Sequence, residues 1–161
     1  MEKEFINLIN DHRALIFKVC NVYCHETETR RDLFQEVVLQ LWRSFPGFKR
    51  ESSNSTWIYK VALNTAISNF RKETKRVGKS SITALEFEIP DMSFDPDSLD
   101  NNHSLQQAID KLNDLEKAVV MLYLDENSYE EMSEILGLSI SNIGVRINRI
   151  KKKLTKILKT Y

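Results

Sequence analysis

Two cysteines, three histidines, three prolines and four glycines are all this chain of 161 residues holds of the residues that build disulfide frameworks, metal clusters and phosphate-cradling loops. Cys20 and Cys24 sit four apart in a helical pattern. One helical turn would bring both thiols to one metal, but two further ligands are needed, and His12, His25 and His103 offer no ligand spacing. The cysteines therefore read as reduced and structural, and no metal site is expected. No apolar run approaches the ~20 residues needed to span a bilayer. The first residues, MEKEFINLINDHR, are charged and lack a signal-peptide core, so a cytoplasmic protein is expected. There is no nucleophile–base pair and no phosphate-binding glycine loop, which argues against an enzyme and against any cofactor or small-molecule substrate. Hydrophobic residues make up 42% of the chain, enough for a core.

One sign of charge is also missing from particular stretches. The net charge is zero, yet residues 1–79 hold fourteen Lys and Arg against nine Asp and Glu. Residues 80–104 hold six acids and no base, and no acid follows Glu134. Two positive surfaces on either side of an acidic strip point to a polyanion bound at two places.

The most informative stretch is SYEEMSEILGLSISNIGVRINRIKKKLTKILK, from Ser128 to Lys159. Ser128 with Glu131 forms a capping box that opens a short helix carrying Met132, Ile135 and Leu136 on one side. Gly137 ends it, because the residue past a helix end often needs a positive φ. Ser139 or Ser141 can cap the next helix, in which Ile143, Ile147, Ile150, Leu154 and Leu158 make a buried stripe. Its other faces carry Arg146, Arg149, Lys151, Lys152, Lys153, Lys156 and Lys159. A short helix, a glycine turn and a longer basic helix predict a helix-turn-helix whose second helix lies in the major groove. Upstream, Asn113 caps a helix from Asp114 to about Asp125, and Ser104 with Gln107 reads as a further capping box.

The first block is helical as well. Phe5, Leu8, Ile9, His12, Leu15, Ile16, Val19, Cys20 and Tyr23 follow helix spacing over roughly six turns. A second helix from about Thr29 to Phe45 buries Leu33, Phe34, Val37, Val38, Leu41 and Trp42 until Pro46 and Gly47 stop it. The polar loop FKRESSN follows, and Ser55 or Thr56 can cap a third helix that runs to about Lys75. Trp57 and Phe70 in this helix suit either base stacking or a core, and a core is the expected role.

LFQEVVLQLWRSFPGF followed by STWIYKVALNTAISNFRKETKR resembles the second conserved region of bacterial RNA polymerase sigma factors. The block from Ser104 resembles their fourth region. Without regions one and three, the chain is similar to the extracytoplasmic-function (ECF) subfamily of the sigma-70 family. The resemblance implies an all-α protein of two small helical domains, residues 1–79 and 104–161, joined by an acidic linker at 80–103. It implies a dissociable subunit that recognises and melts promoter DNA while the polymerase does the chemistry.

The resemblance also implies roles for particular positions. Asp32, Gln35 and Glu36 match the face that binds the clamp helices of the polymerase β′ subunit. Lys49, Arg50, Ser52, Ser53, Asn54, Asn64, Arg71, Lys72 and Arg76 match the loop and helix that open and hold the −10 element, the loop capturing a flipped base. Ser141, Asn142, Val145, Arg146 and Arg149 match the positions that read the −35 element, and Lys153 would touch its phosphates. The fourth-region unit would sit on the flap of the β subunit, and an anti-sigma factor is a further implied partner. Gly144 departs from the pattern, since a basic or polar side chain is frequent there. The alternative is an autonomous helix-turn-helix regulator that binds duplex DNA alone. It would have no need of the first block. The linker, SSITALEFEIPDMSFDPDSLDNNHS, reads as a tether that leaves the two halves at no fixed spacing.

Overall fold

The apolar spacing from Phe5 to Tyr23 predicts one helix, and the computed structural model, which describes residues 1–73 and 103–159, breaks it in two. Helices α1 (Glu2–Asp11) and α2 (Arg13–Tyr23) meet at His12, whose φ of −116° and ψ of 16° leave helical geometry. The His12 ring Nδ1 lies 2.9 Å from the Leu8 carbonyl oxygen, serving an acceptor at the end of α1. On the far side of this break Phe5 is fully buried, its ring against those of Trp42 and Phe45.

Helix α3 (Thr27–Ser44) starts two residues earlier than its sequence pattern indicates and ends in a tight 3-10 turn, Phe45–Gly47, at the expected proline and glycine. It buries Leu33, Phe34, Val37, Val38 and Leu41 of the expected stripe, and also Leu39, which lies on the other side of the helix, one turn past Gln35 and Glu36. Helix α4 (Asn54–Glu73) then packs against both α2 and α3. Its cap is neither Ser55 nor Thr56. The Ser53 hydroxyl accepts from the Thr56 N–H at 3.2 Å, two to three residues earlier in the chain than expected. Phe5, Trp42, Phe45, Trp57 and Phe48 form a chain of ring contacts with centroids 4.3–6.2 Å apart. Trp57 is thus part of the packing that binds α4 to the turn after α3. Fully burying a side chain of the size of Leu41 or Ile58 contributes about 1.5–3 kcal/mol, and both are fully buried.

The second half contains α5 (His103–Asp110), α6 (Asp114–Leu124), α7 (Tyr129–Leu136) and α8 (Ile140–Leu158). Ser104 lies inside α5, as its second residue, rather than before it as expected. Two capping boxes form in full. Asn113 accepts from the Glu116 N–H while Glu116 accepts from the Asn113 N–H, and Ser128 and Glu131 do the same for α7. Gly137 has φ +72°, a conformation in which an L side chain is strained. Ser139 is the cap of α8, accepting from the Asn142 N–H at 3.1 Å. Ile143, Ile147 and Ile150 are buried, and Leu154 and Leu158 are half-buried. Among the described residues there are eight α-helices and no strand.

The two halves touch. Helix α6 packs on α2, α7 packs on α4, and the buried residues of both halves form one contiguous apolar cluster. Tyr23 donates its hydroxyl to the Asp114 carbonyl at 2.7 Å. Asp125 accepts from Lys18 Nζ at 2.8 Å and from the Tyr59 hydroxyl. The absence of a fixed spacing, expected from the linker composition, therefore does not hold for the helices on either side of it. Most of the acidic linker, with Arg76, lies outside the described residues.

Candidate nucleic-acid and polymerase interfaces

The helix-turn-helix presents one clean face. Opposite the buried Ile143, Ile147 and Ile150, the side chains of Ser141, Asn142, Val145 and Arg149 are exposed and Arg146 is half-exposed. All lie in the first three turns of α8, and only Ser141 and Asn142 belong to the first turn, where backbone N–H groups and the helix dipole favour a nearby anion. Asn142 Oδ1 accepts from Arg146 Nε at 2.7 Å, one helical turn away. That bond aligns the guanidinium along the helix and leaves its outer nitrogens as a fork.

Lys151, Lys152 and Lys153 diverge. Lys153 Nζ lies 3.0 Å from Glu116 Oε1, reaching back across to α6. Lys151 sits over the Tyr123 ring, 4.6 Å from its centroid. Lys152 is exposed. Partial burial pushes the Glu116 carboxyl up, but the Asn113 N–H, Lys153 and Arg146 outweigh that and hold it below the usual range. Lys153 joins a DNA-contacting set only by leaving Glu116. Sequence reading missed this partner, since Glu116 already had a local role in the capping box and lies 37 residues away.

Gly144 has a physical account. A Cβ there would meet Tyr129 Cε2 at 3.7 Å, an ordinary van der Waals contact. Alanine therefore fits in the free protein and should gain up to about 1 kcal/mol of helix propensity. The expected outcome for Gly144→Ala is a melting temperature raised by about 2–4 °C, measured by circular dichroism.

In the first half, α3 places Asp32, Gln35 and Glu36 on one side, one turn apart, across from Leu33, Phe34, Val37, Val38 and Leu41, with the buried Leu39 next on the same side. Asp32 and Gln35 are exposed; Glu36 is half-buried and accepts from Gln40 Nε2 at 2.9 Å. The loop before α4 brings Lys49, Arg50, Ser52, Ser53 and Asn54 together. Arg50 adopts φ +55°, a left-handed conformation uncommon for a side chain of its size, with its guanidinium 3.8 Å from Glu4. Asn64 is exposed further along α4, in line with the exposed Lys60 and Ser68. Arg71 and Lys72 belong to the last turn of α4.

Cys20 is buried and its thiol is pushed up to about 12, chiefly by burial. Neither cysteine forms a disulfide. Among the described residues no group of three His, Cys, Asp or Glu could hold a metal ion, and no helix is long and apolar enough to cross a membrane.

Comparison with known proteins agrees with this architecture. Residues 8–76 match the family described as Sigma-70 region 2, and residues 102–154 match Sigma-70, region 4. The RNA polymerase sigma factor YlaC of Bacillus subtilis is 30% identical over 142 residues, covering 82% of this chain and 81% of that protein. The ECF RNA polymerase sigma factor SigW of the same organism is 26% identical over 96% of this chain and 89% of its own length. Among solved structures, the sigma factor RpoE from Bartonella quintana, crystallised with the anti-sigma factor NepR, superposes with a TM-score of 0.72 at 18% identity over 98% of both chains. CnrH in complex with the cytosolic domain of CnrY gives 0.71 at 17% identity, over 99% of this chain and 90% of that one. The free-standing regulator gains nothing from these matches, because the region it cannot explain is matched as fully as the helix-turn-helix. Two matched regions in this order, on an all-helical frame, place the chain in the sigma-70 family, as an alternative sigma factor of the extracytoplasmic-function type that serves RNA polymerase in the initiation of transcription.

Proposed function

We propose that the chain divides its task among three surfaces. The Asp32, Gln35 and Glu36 face of α3 docks on the clamp helices of the polymerase β′ subunit, where two carboxylates and an amide suit a basic partner helix. The loop from Lys49 to Asn54 and Asn64 on the exposed side of α4, together with Arg71, Lys72 and Arg76, open and hold the −10 element. Short polar side chains and exposed backbone in that loop suit the edge of an unpaired base. The α5–α8 unit sits on the β flap and reads the −35 element through Ser141, Asn142, Val145, Arg146 and Arg149. The observation that carries this reading is the exposed row on α8, capped at Ser139 and backed by three buried isoleucines. Arginine pairs bidentately with guanine and asparagine with adenine, so the row holds the residue types that base reading needs.

Lys153 is assigned to phosphate, in exchange for Glu116, once DNA is bound. The chain acts as a non-catalytic cytoplasmic subunit, and supercoiled plasmid incubated with it and magnesium should stay un-nicked. An anti-sigma factor is proposed as a further partner, in line with the two solved neighbours, both of which were solved in complex with a second protein.

The test is affinity of the holoenzyme for a set of −35 variants. Arg146→Ala should cost about 1–3 kcal/mol and relax selectivity at one base pair. Lys152→Ala should weaken binding evenly for all sequences. Equal losses on every variant for both mutants would remove Arg146 from the reading set.

A further inference from the structure

We propose that Glu116 is an intramolecular competitor for DNA phosphate: its carboxylate occupies Lys153 in the free chain, and duplex of any sequence must displace it before that lysine reaches the backbone. This rests on the assignment of α8 to the −35 element, and it adds to that surface a residue that restrains binding.

The site begins as a helix cap. Glu116 is the third residue of α6. Its Oε1 accepts from the Asn113 N–H at 3.0 Å, while its own N–H donates to Asn113 Oδ1 at 2.8 Å. This reciprocal pair fixes the carboxylate without help from α8. Packing of α8 on α6 then brings Lys153 Nζ to the same Oε1 at 3.0 Å. The Glu116 side chain is 16% exposed and that of Lys153 47%, so the bond is covered on the side of the acid and open on the side of the lysine. Burial pushes the Glu116 carboxyl up, but the Asn113 N–H, Lys153 and Arg146 hold it below the ordinary range, and it stays charged at neutral pH.

Helix α8 carries no acid of its own, so an opposing charge has to come from another helix. Arg146 and Lys153 are seven residues apart and share one flank of α8. Arg146 Nε is engaged by Asn142 Oδ1 at 2.7 Å. Lys151, on the other flank, sits over the Tyr123 ring, and Lys152 is exposed. Those two positions are open to phosphate, whereas Lys153 reaches it only by giving up Glu116.

Carboxylate and phosphate make the same kind of charge-assisted bond with an ammonium group, so DNA can replace Glu116 bond for bond. The exchange leaves a carboxylate beside a polyanion, which weakens binding. The released carboxylate also takes up a cation from solution, so the net release of counterions on binding is smaller by about one. Phosphate contacts contribute evenly to every sequence. Glu116 therefore lowers affinity for wrong sites and leaves the base contacts of Asn142 and Arg146 as they are. With non-promoter duplex in large excess, this reduces the fraction of protein held away from promoters.

The test is fluorescence anisotropy of the full chain on a short duplex of random sequence, across a salt series. Glu116→Gln removes the charge, and glutamine at this position keeps the capping box, so the melting temperature should hold. Affinity should rise about fivefold at low ionic strength. The slope of log K against log salt should steepen by about 0.9. Lys153→Gln alone should weaken binding, and adding Glu116→Gln to it should gain less than about twofold, because the partner is gone. An unchanged salt slope in Glu116→Gln, or a full gain that persists without Lys153, would overturn the competitor. So would a fall in melting temperature with no change in affinity, which would make Glu116 a cap alone. Loss in Lys153→Gln without gain in Glu116→Gln overturns the competitor and leaves α8 on DNA. No effect from either variant overturns both. A failure of base reading itself appears in the Arg146 selectivity experiment, which uses −35 variants and leaves the random duplex unchanged.

Discussion

Replacing Asp32 and Glu36 together by lysine is expected to abolish co-purification with core RNA polymerase while the protein keeps its fold. Both residues lie on α3 four positions apart, across from Leu33, Phe34, Val37, Val38 and Leu41, which anchor the helix in the core. Asp32 is exposed, and Glu36 is half-buried with a hydrogen bond from Gln40. Losing that bond costs the fold about 0.5–1.5 kcal/mol, a modest fraction of a stability of ~5–15 kcal/mol. The interface loses far more. Truncating one member of a close charge pair at an interface costs about 2–5 kcal/mol, and reversal at two positions adds repulsion to the loss. Even the lower figure, taken twice, weakens binding by roughly a thousandfold. The measurement is a pull-down on core enzyme beside a thermal melt of the free variant. Retained binding would take this face out of the interface, and loss of cooperative melting would make both residues structural.

What could be read from the residues was whatever local geometry governs. The Ser128 and Asn113 capping boxes, the left-handed Gly137 and the isoleucine stripe of α8 each involve residues within a turn or two of one another, and each formed as expected. The misplaced ends had local competitors. Ser53, Ser55 and Thr56 are all plausible caps, and Ser53 took the role because its hydroxyl also donates to Thr56 Oγ1 at 2.8 Å. The apolar period through His12 continues without a break, so a periodicity argument joins α1 to α2; the bend comes from the backbone conformation at His12. The long-range pairs left no trace. Lys18 and Asp125 are 107 positions apart, and Tyr59 and Asp125 are 66 apart. Asp125 reads from sequence as one more acid at a helix end. Likewise Lys153 reads as one of three equivalent lysines, and only the packing of α8 on α6 turns it toward Glu116.

The second large effect joins both halves. The free protein should bind its promoter poorly, and the same protein on core polymerase should bind it at least a hundredfold more tightly. The candidate −35 row on α8 is largely exposed in the free chain, so weak contact with one element is available. Specific affinity needs the second element as well, because two linked contacts gain about 10²–10⁴ over either alone when geometry permits both. In the free chain the two halves pack against each other, α6 on α2 and α7 on α4, an arrangement set by the protein's own packing and not by the spacing of the two elements. The six acids of residues 80–104 add a second obstacle, since they compete with phosphate for the basic surfaces at ionic strengths where charges within ~10 Å still interact. Polymerase removes both obstacles if it separates the halves and sequesters the acidic strip. Salt separates the two contributions in the free chain. Raising it screens the acids but also weakens each phosphate contact, so free-chain binding should stay poor at every ionic strength. Fluorescence anisotropy on promoter DNA, with and without core enzyme and across a salt series, measures all of this directly. If the free chain binds the promoter specifically at nanomolar concentration and physiological salt, the chain works as an autonomous regulator and the three-surface assignment falls.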